Sequence, residues 1–88
     1  MSSKSIEDRK AALFARTSTP VLLQSAATLE ALSSPTADQR MVRAWTFDEI
    51  ERRVGKITLD EEPEFERVYD ETDSYLAALL ALRPQLAK

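Results

Sequence analysis

The sequence predicts a single all-α domain, a compact bundle of about four helices. Three observations carry this. Apolar residues recur at three- and four-residue spacing through most of the chain, no two alternating segments offer strands to pair, and cap residues fall at the ends of the periodic stretches. The composition agrees, with 88 residues, 43% of them hydrophobic and 31% charged, and a single glycine. A chain of this length buries only roughly 60–65% of the surface it exposes when unfolded, so a binding function falls on its surface rather than in a cleft between domains. The domain is expected to span 1–88, with frayed ends at 1–4 and 84–88.

The first helix is expected over about 6–16, with Ser5 as N-cap, Asp8 in the first turn, and Ile6, Lys10, Leu13 and Phe14 near one face. The second, about 20–33, starts with Thr19 as cap and Pro20 at N1, repeats Leu22, Ala26, Leu29 and Leu32, and stops at Ser34-Pro35. The third, about 36–54, opens on Thr36-Ala37-Asp38-Gln39, which has the form of a capping box, and closes at Gly55. Met41, Val42 and Trp45 point one way on it, and Phe47, Ile50 and Val54 the other. That makes it either a central helix packed on two faces or a helix broken at Thr46, where Thr46-Phe47-Asp48-Glu49 forms a second capping box; with no proline or glycine to force a break, the continuous helix is favoured. The last helix is expected over about 63–82, with Pro63 at N1 and an apolar stripe from Phe65 through Val68, Tyr69, Leu76, Leu79 and Leu80. Thr72-Asp73-Ser74 is its weakest point, a cap sequence able to divide it.

With no cysteine the chain has no disulfide, thiolate nucleophile or sulfur-rich zinc site, and with no histidine it lacks the commonest general base and metal ligand. One glycine excludes the glycine-rich phosphate loops. The expectation is a protein that is not an enzyme and takes no cofactor or metal. The opening residues carry no apolar secretory core, and the longest apolar run, Tyr75 to Leu82, is far short of the ~20 residues that span a bilayer, so a cytoplasmic protein without a membrane partner is expected.

Charge is uneven. Residues 57–74 hold eight acidic residues against Arg67 alone, a net −7 in a chain whose total is −3. Glu66, Asp70 and Asp73 follow at i, i+4 and i+7 and share one helix face. The face is either a solvated surface or a docking site for a partner with a basic surface. A magnesium site of the kind found in all-helical nucleotide pyrophosphohydrolases needs paired carboxylates on two helices, but Arg52 stands three residues after Glu49, and Tyr69 stands where an aspartate should follow Glu66. The arginines at 40, 43, 52 and 53 and Lys56 are interleaved with acids, leaving 35–56 at only +1, which disfavours nucleic acid as a partner. Trp45 reads as core, or as an interface anchor if four helices leave it uncovered.

Arg43-Ala44-Trp45-Thr46-Phe47-Asp48-Glu49-Ile50-Glu51-Arg52-Arg53, followed by Ser74-Tyr75-Leu76-Ala77-Ala78-Leu79-Leu80-Ala81-Leu82, resembles a pattern in small helical proteins encoded by actinobacteria and their bacteriophages. The resemblance covers about half the chain, departs at Thr46, where an aliphatic residue is more typical, and implies a biological setting without an assigned activity. The functional expectation is a small regulatory or interaction protein, phage-encoded and acting in the host cytoplasm. It would bind a basic partner through Glu66, Asp70 and Asp73, with Trp45, Tyr75 and Leu82 adding apolar contact; mimicry of a nucleic-acid backbone is a variant of this reading. A symmetric homodimer is a further expectation. The competing classes are a weak DNA-binding regulator and, third, a carboxylate-metal nucleotide hydrolase.

Overall fold

The computed structural model describes residues 6–87, with side chains from Asp8 onward. It contains α1 (Ile6–Phe14), α2 (Thr19–Glu30), α3 (Ala37–Val54), α4 (Glu62–Thr72), α5 (Tyr75–Leu82) and a closing 3₁₀ turn, Pro84–Ala87. No strand occurs among the described residues. Helix α2 packs on α3, α4 on α5, and α5 joins the two pairs through contacts with α2. The core lies where they meet: Phe14, Leu22, Ala26, Phe47, Ile50, Leu76, Leu79 and Leu86.

The all-α class holds, and the main difference from expectation is a fifth helix. Asp73 takes a left-handed conformation (φ 54°, ψ 33°) and ends α4, after which Ser74 caps α5 by accepting from the Ala77 amide at 3.0 Å. Aspartate tolerates this conformation because its short polar side chain can satisfy nearby backbone. A second cap comes from far along the chain. The Glu30 carboxylate, at the end of α2, accepts from the Ser74 hydroxyl at 2.5 Å and from the Leu76 amide at 3.1 Å. The negative charge sits at the positive pole of α5 and ties α2 to it.

Smaller shifts have similar causes. Helix α2 starts one residue early, with Ser18 as cap accepting from the Val21 amide at 3.4 Å, while the Thr19 hydroxyl accepts from Arg53 at 3.2 Å. It ends at Glu30, before the expected 33. The proposed Ser5 cap lies outside the described residues. Residues 84–87, expected to fray, form a turn whose Leu86 is buried in the core.

Helix α3 is continuous. Its capping box is present, with the Thr36 amide donating to Gln39 at 2.8 Å and the Gln39 amide to Thr36 at 3.1 Å. Thr46 does not break it. The buried hydroxyl donates back to the Val42 carbonyl at 2.7 Å, inside the helix, and so has no need of the cap conformation. Gly55 ends the helix at φ 95°, a backbone conformation that side chains resist.

The two-faced reading of α3 is corrected in degree. Phe47 and Ile50 are buried, Trp45 and Val54 are half-buried against the core, and Met41 is 44% exposed. Trp45→Ala is therefore expected to cost ~2 kcal/mol, below the ~3–5 kcal/mol of a fully buried tryptophan. Chemical denaturation measures this, and a loss of about 4 kcal/mol or more would make Trp45 a core residue.

Candidate functional site: an acidic aromatic trough

Three arginines fix the frame around the site. Arg53 donates to Glu49 at 2.7 Å and, from its outer nitrogens, to Thr19 and to the Phe14 carbonyl at 3.1 Å, closing the end of α1 and the start of α2 onto α3. Arg52 grips the same carboxylate with two bonds, at 2.9 and 2.6 Å. These bonds hold the Glu49 pKa down to about 2, with Arg52 the largest cause. The neighbouring acid, Asp48, reaches Lys10 of α1 at 3.1 Å. Arg83 performs the second closure. It binds Glu61 at 2.5 and 2.7 Å and the carbonyls of Gly55 and Lys56, which fixes the 56–61 connector and the approach to α4.

Between α3, α4 and α5 lie two neighbouring cavities, of about 560 and 440 Å³. Tyr69 and Tyr75 line both, so together they make one trough divided at Tyr69. Tyr75 is held edge-on between Phe47 and Phe65, with ring centroids 4.8 and 4.9 Å away, and its phenol donates to Glu51. Burial, followed by the carboxylates of Glu51 and Asp48, pushes the Tyr75 pKa up and keeps this donor protonated. Tyr69 meets Tyr75 edge-on at 6.4 Å and remains 40% exposed.

The trough is acidic along its length. Glu51, Glu62, Glu66 and Asp70 line the larger cavity with Lys56; Glu30, Asp48 and Asp73 line the smaller with Arg43. Helix α4 separates its acids by face. Glu64 and Glu71 are both bound to Arg67, whose hydrogen bond lowers the Glu64 pKa, whereas Glu66 and Asp70 face the cavity. No group of three or more carboxylates among the described residues is placed to hold a metal ion.

Of the six residues singled out in the sequence, Glu66, Asp70 and Tyr75 come together at the larger cavity. Asp73 does not share their side. The left-handed turn moves it to the smaller cavity, across Tyr69. Trp45 and Leu82 line neither cavity, and both are half-buried. Tyr69, Phe65 and Glu62 were not singled out. The aromatics fit the apolar stripe of the last helix and read as core; no residue of α4 is fully buried, and although Phe65 packs against the core, it and Tyr69 also line the trough.

No family model, curated protein or solved structure matches the chain. Among the described residues no helix is long and apolar enough to cross a membrane.

Proposed function

We propose that the protein is a small, non-catalytic interaction module whose α3–α4–α5 trough docks a basic segment of a partner protein. The observation that carries this is the pairing of an exposed aromatic, Tyr69, with carboxylates lining the cavities on both sides of it. Aromatic area supplies desolvation energy, while the carboxylates set orientation and encounter rate. Arg52, Arg53, Arg67 and Arg83 are each engaged with a carboxylate of the chain itself, which favours a basic partner over a phosphate backbone. We direct the search for that partner to a host cytoplasm, the setting implied by the resemblance expected from 43–53 and 74–82.

The test is the triple variant Glu66→Gln, Asp70→Asn, Asp73→Asn, in which asparagine retains tolerance of the left-handed turn. Its stability is expected to equal or slightly exceed that of the parent, because repulsion between neighbouring acids of α4 is removed. Its association with a purified partner, first recovered by affinity capture, is expected to slow and to lose most of its salt dependence. A folded variant that binds the same partner with unchanged affinity and salt dependence would remove the proposal.

A further inference from the structure

We infer that the side chain received by the larger cavity is an arginine, its guanidinium stacked on Tyr69 and bound by Glu66 and Asp70. The inference rests on the docking reading and names the chemistry of the anchor. Three properties of the cavity support it.

The first is the wall. Phe65, Tyr69 and Tyr75 present aromatic surface in a cavity of about 560 Å³. Tyr75 cannot turn to meet a ligand, because its ring is wedged edge-on between Phe47 and Phe65 and its hydroxyl is committed to Glu51. Tyr69, at 40% exposed, is the most uncovered of the three rings, and a planar cation resting on it gains from the negative face of the π-system.

The second is the acceptors. Glu66 and Asp70 are one helical turn apart on α4 and line the same cavity as the rings. Both carboxylates are exposed and open to a donor, and a guanidinium supplies N–H groups in a planar fork while its face remains available for stacking. A trimethylammonium offers no N–H, and a lysine ammonium is more strongly hydrated and presents no plane to stack.

The third is the surrounding charge. Lys56, just past the end of α3, is the one cation among the described residues that line the cavity, so an incoming cation is directed to the α4 side, where Glu62, Glu66 and Asp70 lie. The spread of the carboxylates also disfavours a metal ion in that place.

The experiment is an NMR titration of the isotope-labelled full chain with the peptide Ac-Ala-Leu-Arg-Leu-Ala-amide and three counterparts carrying lysine, trimethyl-lysine or citrulline at the centre. The arginine peptide is expected to shift the ring signals of Phe65 and Tyr69 and the α4 amides. It should bind roughly tenfold more tightly than the citrulline peptide, which keeps the shape without the charge, and several-fold more tightly than the other two. Tyr69→Leu and Asp70→Asn should each weaken it by about fivefold or more. Equal binding of the lysine or trimethyl-lysine peptide at the trough would overturn the arginine inference and leave the docking reading standing. Binding by citrulline as tight as by arginine would overturn the inference and remove electrostatic docking with it. Shifts confined to α1 and α2, or none with any peptide at millimolar concentration, would overturn both.

Discussion

Ile50→Ala is expected to lower the stability of the fold by about 2–5 kcal/mol, the largest effect of any single truncation considered. Ile50 has no exposed surface and sits in the cluster that contains Leu22 of α2 and Leu79 of α5. Removing three carbons there forfeits their transfer free energy and leaves a cavity that three packed helices cannot readily collapse. Small domains have only ~5–15 kcal/mol in total, so the variant should unfold at a far lower denaturant concentration with an unchanged slope. Leu59, 81% exposed in the 56–61 connector, provides the contrast: its truncation should change stability by less than ~0.5 kcal/mol. A loss below ~1 kcal/mol at Ile50 would contradict the described packing.

The second large effect depends on pH. The Glu49 carboxylate is 9% exposed and bound by Arg52 and Arg53, and its pKa falls from 4.5 to about 2 on folding. A carboxylate whose folded pKa is depressed contributes stability that is complete above its unfolded pKa and is lost as pH falls through the folded value. The shift corresponds to about 3 kcal/mol, present above pH ~5 and dissipated progressively towards pH 2. Glu49→Gln should therefore be less stable than the parent by about that amount at pH 7, with the difference vanishing near pH 2. Glu61, also held near 2, titrates in the same window in both proteins and cancels in the comparison. Urea unfolding of both proteins from pH 2 to 7 makes the measurement. Parallel pH profiles would mean that Glu49 is not the group responsible.

Much of this fold is legible locally. The capping box at Thr36, the proline in the first turn of α2 and the glycine after Val54 act through their immediate neighbours, and they stand where the spacing places them. The break at Asp73 is legible only as an alternative. The apolar spacing from Phe65 to Leu80 runs through it without interruption, and the energy that decides comes partly from Glu30, more than 40 residues earlier. The site divides in the same way. Glu66, Asp70 and Tyr75 follow from charge and periodicity, whereas the transfer of Asp73 across Tyr69 needs the left-handed turn, and the exposure of Tyr69 needs the packing of α4 on α5. Arg53 is the clearest case of information absent from local sequence. Within its helix it reads as a favourable charge near the negative pole, yet its other bonds go to Thr19 and Phe14.

The central claim is that partners dock in the trough between α3, α4 and α5. Hydrogen exchange of the full chain, alone and with a purified partner, tests it most directly. New protection is expected over 65–75 and over 47–51, weakening as salt is raised, with the amides of α1 and α2 unchanged. Protection confined to the α2 and α3 surface around Val21 and Met41, with the 65–75 amides exchanging as in the free protein, would contradict it.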